Sequence, residues 1–162
     1  MIVIGVLAGF AAPLLGERRA GAELAAAARR LAQAAQLARQ EAGRTGTEVR
    51  LVVGREAADA WAVEADGEEG PGGPPVAVRR GSVGAGTLPG GVLFARVEVV
   101  PDAEDRPGDE VAFAGGGSAT PAVIRLAGER EERSVVVHGS GRVEVVDGAA
   151  GPPAGRVDLD LD

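Results

Sequence analysis

His138 is the only histidine in the 162-residue chain, and histidine is the side chain whose charge ordinarily changes near neutral pH. Ser134, Ser140 and Asp147 lie within nine residues of it. A nucleophile, base and orienting acid can therefore be written on paper. A nucleophilic serine of that kind sits on a strand–elbow–helix turn, and neither serine has that context. The stretch "VVVHGSGRVEVV" reads instead as a β-hairpin, two β-branched runs around a short glycine-containing turn, and the hairpin accounts for all three residue types. In "GSVGAGTLPGG", Gly81, Gly84 and Gly86 approximate a dinucleotide loop. That loop needs a strand before it, a helix after it and an acid about 20 residues on, whereas Pro89 and two further glycines follow here. The expected structure is a flexible loop between strands. Asp102, Glu104, Asp105, Asp109 and Glu110 offer oxygens to a hard cation but lack the ordered spacing of a calcium loop, so a solvated acidic loop is expected. Asp158, Asp160 and Asp162 alternate with Val157, Leu159 and Leu161, as in an edge strand kept soluble by charge. With no cysteine, a disulfide framework and a cysteine-based zinc site are excluded. The expectation is a protein with no catalytic residues, no cofactor and no metal.

These residues must be held by elements that the patterning indicates. Apolar content is 45% and charged content 25%, which suits a globular domain with a true core. Met1 to about Ala42 reads as one helix. From Ala20 to Gln40 strong helix formers dominate, and Leu24, Ala28, Leu31, Ala35, Ala38 and Ala42 recur in alternating steps of four and three. Such a helix would extend roughly 60 Å. Pro13 and Gly16 predict a kink, local unwinding or a division into two helices, and Gly43 and Gly46 supply the stop. Beyond Gly46 the period changes to two. Strands are expected at Glu48–Val53, Ala60–Ala65, Val76–Arg80, Val92–Val99, Glu110–Ala114, Ala122–Ala127, Arg133–Val137 and Arg142–Val146. Mobile loops are expected at "EADGEEGPGGPP", "VPDAEDRPGDE" and "FAGGGSATP". The fold class is α+β: a long N-terminal helix attached to a small antiparallel β-sheet domain. The chain divides into an apolar segment at 1–16, an amphipathic stem at 17–46, a β head at 47–147 and an acidic tail at 148–162.

The opening "MIVIGVLAGFAAPLL" carries no charge. A secretory signal would have positive charge ahead of the apolar run, and a lone membrane span needs about 20 apolar residues. Gly5, Gly9 and Ala12 have the small-xxx-small spacing that lets helices approach closely in a membrane. Gly5, Gly9, Phe10 and Pro13, with Leu24 and Leu31 further along, are the candidate positions for membrane or filament packing. Charge is unevenly spread. Glu17–Arg50 carries seven arginines and four glutamates, whereas Leu51–Asp162 carries ten arginines and twenty acids. A basic stem thus joins an acidic head, and an acidic head argues against nucleic acid as a partner.

These segments together resemble a family. The opening run is similar to the middle of the N-terminal helix of type IV pilins and type II secretion pseudopilins. Downstream, "ELAAAARRLAQAAQLARQEAGRTGTEVRLVV" resembles the stem of the GspH/FimT branch of minor pseudopilins. Ala38, Arg39, Glu41 and Ala42 match its Ala-Arg-x-Glu-Ala element, and Gly46 fits the turn that follows. "AWAV", "LPGGVLF", "VAFAGGGSAT" and "SVVVHGSGRVEVV" resemble later segments of that branch in the branch's own order, so the likeness spans roughly residues 1–147.

The resemblance implies a structural subunit and not an enzyme. It implies a helix that is stored in the bacterial inner membrane and packs against other pseudopilins or pilins in a filament. Membrane lipid and inner-membrane secretion components are the further partners it implies, with Arg18 and Arg19 at the membrane boundary and the head in the periplasm. Three alternatives stay open on sequence: a FimT-like minor pilin serving pilus assembly or DNA uptake, a membrane-anchored β domain without a filament, and a small hydrolase using His138. In the family a basic leader ending in glycine, then a Phe-Thr-Leu-x-Glu-Leu-like start, precedes the Met-Ile-Val-Ile-like run. The codons upstream of Met1, read in frame, are therefore expected to encode such a peptide. A stop codon or an unrelated peptide there would refute this, and genomic sequencing decides it.

Overall fold

The computed structural model describes residues 3–55, 57–65, 81–100, 109–151 and 153; over 3–18 and 81–82 the description is of the backbone. The first element is a single helix, α1 (Val3–Thr45), of 43 residues, about 65 Å long at 1.5 Å per residue. It runs through Pro13 and Gly16 without interruption. The expected unwinding and the two-helix alternative are therefore corrected. A proline removes one i→i−4 hydrogen bond, and the helix on both sides carries the chain through. The helix ends at Gly46, whose φ of +73° is cheap only for a residue without Cβ. The Gly46 N–H donates to the Ala42 carbonyl at 2.8 Å, closing a left-handed cap. The Thr45 hydroxyl donates to the Glu41 carbonyl at 2.8 Å. Gly43, read from sequence as part of the stop, lies inside the helix.

Eight strands follow: β1 (Val49–Val53), β2 (Ala60–Ala65), β3 (Gly81–Thr87), β4 (Leu93–Val99), β5 (Glu110–Phe113), β6 (Ala122–Ala127), β7 (Glu132–Val137) and β8 (Val143–Asp147). Seven of the strands expected from alternation occur where alternation puts them. The eighth, Val76–Arg80, lies outside the described residues. β3 is the correction, since it occupies the glycine-rich stretch expected to be a flexible loop. The cause is side chains of neighbouring elements filling the room that its glycines leave. Gly86 stands opposite Trp61 in register, and a Cβ there would lie 2.5 Å from the indole. A Cβ at Gly84 would touch Leu37 of α1 at 3.4 Å. Glycine inside a strand commonly marks such close approach.

All pairings are antiparallel, in two four-stranded sheets of order β3-β2-β1-β5 and β4-β6-β7-β8. The helix packs against both. Its predicted stripe of Leu24, Ala28, Leu31, Ala35, Ala38 and Ala42 is buried without remainder, against Leu51, Val63 and Phe113 of the first sheet and Ile124, Leu126 and Val135 of the second. Trp61 is half-buried at the margin of this core.

Because nothing lies within 4 Å of a Cβ added at Gly43, Gly43→Ala is expected to stabilise the chain by about 0.5–1 kcal/mol through helix propensity. Gly46→Ala is expected to cost about 1–2 kcal/mol, because φ there is positive. Urea unfolding of the two variants in detergent micelles checks the opposite signs.

Candidate functional site

The paper triad does not assemble. Ser134 is fully buried; its hydroxyl donates to the Gly148 carbonyl at 2.7 Å and accepts from the Ala150 N–H at 2.9 Å. Asp147 pairs with Arg133 at 2.7 Å. His138 Nε2 lies 2.9 Å from Glu144 Oε1 across the hairpin. That contact, followed by the charge of Arg142, holds the Glu144 carboxyl below the usual carboxylate range. The hairpin is as expected: His138 N–H donates to the Arg142 carbonyl at 2.8 Å and Gly141 N–H to the His138 carbonyl at 2.7 Å. Ser134, His138 and Asp147 are thus engaged in keeping the hairpin and the chain after it in place, and Ser140 is exposed at the turn.

The acidic cluster is likewise engaged where it is described. Asp109 lies 3.3 Å from Arg55. Glu110, only 5% exposed, is paired with the same guanidinium, which its hydrogen bond holds in the charged form. Asp102, Glu104 and Asp105 lie outside the described residues, as do most residues of the loops expected at "EADGEEGPGGPP" and "VPDAEDRPGDE". Among the described residues no group of three carboxylate or histidine side chains stands close enough to hold a metal ion. A cavity of about 110 Å³ between α1 and the β6–β7 turn is lined by Ala20, Gly21, Leu24, Gly128, Glu129, Arg130 and Glu131, with no nucleophile in its wall.

What the fold does bring together is the set of stem and loop motifs. The last two turns of α1, the β5–β6 loop and the β7–β8 turn converge at one end of the head. A Cβ at Gly115 would lie 2.6 Å from the carbonyl carbon and oxygen of Gly46. Gly141 has φ +75°, and a Cβ there would run into the Gly117 carbonyl oxygen and lie 2.9 Å from Arg39 Nε. Backbone therefore rests on backbone, with room for hydrogen atoms only. The "FAGGGSATP" segment, expected to be mobile, is tied on both sides. Ala114 N–H donates to Ser118, Thr120 N–H to Ala112 and Ala119 N–H to the Gly139 carbonyl, at 2.8–3.0 Å. Of the stem motif, Ala38 and Ala42 are buried, Arg39 is exposed over Gly141, and Glu41 pairs with Arg44. That hydrogen bond lowers the Glu41 carboxyl's pKa. Sequence spacing gave no hint that Gly115 meets Gly46 or that Gly141 meets Arg39; the run of three glycines was the available signal.

The packing positions separate. Gly5, Gly9, Phe10 and Pro13 lie in the helix N-terminal to every described position that is buried in the head. Leu24 and Leu31 are fully buried in the head's own core. Among the described residues no helix is long and apolar enough to cross a membrane.

The family model for GspH, the type II transport protein GspH, matches residues 27–141. The chain belongs to the GspH family. The match begins inside the stem and ends at Gly141, so it covers the helix–head junction, the first sheet and the second sheet except β8. The GspH fold is recognisable in solved structures too. The chain is similar to the minor pseudopilin EpsH of the Vibrio cholerae type 2 secretion system, with 14% identity and a TM-score of 0.55 over 77% of this chain and 97% of that one. It is also similar to the type IV minor pilin FimU of Pseudomonas aeruginosa PAO1, with 15% identity and a TM-score of 0.53 over 82% and 92%. At these identities the likeness is one of fold. No curated protein sequence matches the chain. As a GspH member with a pilin-like fold, the protein is a minor structural subunit of the type II secretion or type IV pilus kind and not an enzyme.

The junction predicts a contrast between neighbours. Gly115→Ala is expected to cost about 1–3 kcal/mol, as overpacking does. Gly116→Ala, with nothing within 4 Å, should change stability by less than about 0.5 kcal/mol. Thermal melts of both variants decide whether the close backbone contact holds the junction.

Proposed function

We propose that this GspH-family chain is a pseudopilin of a type II secretion pseudopilus, helping to form or cap the filament that drives protein export. The observation that carries the reading is the uninterrupted helix joining two unlike halves. Its C-terminal half is built into the head through Leu24, Leu31 and the alanines between and beyond them. Its N-terminal half, Val3–Gly16, contains no charged residue. A helix made in this way transmits position: whatever holds Gly5, Gly9, Phe10 and Pro13 also fixes the head.

In the resting state the apolar half lies in the inner membrane, with Arg18 and Arg19 reaching the phospholipid headgroups and the head in the periplasm. In assembly the same half leaves lipid for a bundle of equivalent helices, where Gly5 and Gly9 let backbones approach. The apolar surface is covered in both states. What differs is the van der Waals packing, which favours the bundle when the facing side chains are small. Inner-membrane secretion components would act on this exchange. The second reading, a minor subunit of a type IV pilus, draws on the comparable likeness to FimU.

Since the chain has no cysteine, a cysteine at Phe10 reports its neighbours cleanly in cells that carry the intact system. Crosslinks to other pseudopilins are expected, together with loss of export when Gly9 is changed to Leu. Crosslinks to pilins alone would move the protein to the pilus reading, and crosslinks to neither would overturn the filament role.

A further inference from the structure

The arginines of the head are matched by acids. Arg50, Arg55, Arg96, Arg125, Arg133 and Arg142 each stand 2.6–3.5 Å from a carboxylate oxygen. The stem begins and ends in the same way, with Arg19 3.0 Å from Glu23 and Arg44 paired with Glu41. Between those two pairs the matching stops. From Leu24 to Gln40 the helix contains Arg29, Arg30 and Arg39 and no acid, and among the described residues no carboxylate pairs with any of the three. All three are exposed. Arg29 Nε donates to the Ala25 carbonyl at 3.1 Å, which holds the side chain along the helix and leaves its charge unbalanced.

The helical period arranges these residues into one face. Arg29, Gln33, Gln36 and Gln40, all exposed, follow in steps of four and three down the side opposite the buried stripe. Arg30 lies on one flank with Leu37, which is 38% exposed and would touch a Cβ at Gly84 of β3. Arg39 lies on the other flank, over Gly141 at the β7–β8 turn. The face is about 17 Å long, the rise from Arg29 to Gln40 at about 1.5 Å per residue. It carries amides along its middle and a guanidinium on either margin. A helix face turned only to water gains from pairs of opposite charge at i,i+4, as Arg19 and Glu23 show. A run without acids instead leaves fixed positive charge for another molecule to neutralise.

We propose that this face docks an acidic surface of a neighbouring, different filament subunit, whose carboxylates pair with Arg30 and Arg39 while its polar groups meet Gln33, Gln36 and Gln40. The inference rests on the filament reading and names the partner chemistry of the stem. Guanidinium forks take carboxylates bidentately. Because Val3–Thr45 is a single helix, a subunit lying against its apolar half is also brought alongside this face. Lipid is too distant a source of anions. Arg29 lies about 16 Å beyond Arg18 along the axis, whereas headgroup charge is screened within about 8–10 Å. Three cations on a chain of net charge −7 suit a phosphate backbone poorly. A second copy is a poorer source too, since Glu48, Glu98, Asp109, Glu110, Glu144 and Asp147 are already paired with the head's own arginines.

The chain has no lysine, so Arg30→Lys or Arg39→Lys places a unique side-chain amine on one margin of the face and keeps its charge. In membranes from cells with the intact system, a zero-length carbodiimide joins that amine only to a carboxylate in contact with it. Both variants are expected to give amide links to aspartate or glutamate of another filament subunit, located by peptide mass spectrometry. Their yield is expected to fall at least fivefold in about 1 M salt, where the screening length shrinks to about 3 Å. Links only to a second copy, links only within the chain, no links, or a yield indifferent to salt would each overturn the docking face. If Phe10 cysteine crosslinks to pseudopilins persist while these links fail, this face alone is overturned; if both fail, the filament reading goes with it.

Discussion

The structure depends on one helix face made almost wholly of alanine and leucine. Side chains this small bring the axis of α1 close to two sheets at once, and Leu24 and Leu31 fill the deeper gaps between them. Because Ala28, Ala35, Ala38 and Ala42 are completely buried, the helix is held along about 27 Å of its length, the rise from Leu24 to Ala42 at about 1.5 Å per residue. Neither sheet can shift relative to the other without disturbing that contact. Replacing a buried leucine of this kind by alanine removes about 2–5 kcal/mol, a large part of the stability of an ordinary domain.

From that constraint the geometry at the end of the helix follows. With the stem seated so deeply, the capping turn at Gly46, the loop at Gly115–Gly117 and the hairpin turn at Gly141 arrive in the same small volume. Only glycines let three backbone segments share it. The features that looked most like chemistry in the sequence serve this architecture: His138 and Glu144 brace the hairpin, Ser134 holds the chain beyond β8, and Glu110 neutralises Arg55 beside it. All of these contacts lie within the head, and the helix is coupled to it by the buried alanine and leucine face.

The helix, its buried stripe and seven of the strands were legible because each is written in a local period, 3.6 or 2, that survives in a single sequence. Glycines obscured the rest. "GSVGAGT" has the composition of a loop, and only the indole of Trp61 and the side chain of Leu37, both distant in sequence, make it a strand. "AGGGSA" also reads as a loop and is a fixed strap. In each case the side-chain space left empty by glycine is filled by a residue from another element.

The sequence by itself determined the α+β class, the helix-to-strand change at Gly46, the uncharged start of the helix and the unequal charge of stem and head. These are properties of neighbours along the chain. Only the tertiary structure decided that Leu24 and Leu31 face the head's own core, that Arg39 meets Gly141, and that the segment after β8 turns back across its sheet. Those facts depend on contacts between residues many positions apart, which are fixed by how the small-residue helix face fits the two sheets and not by any local preference.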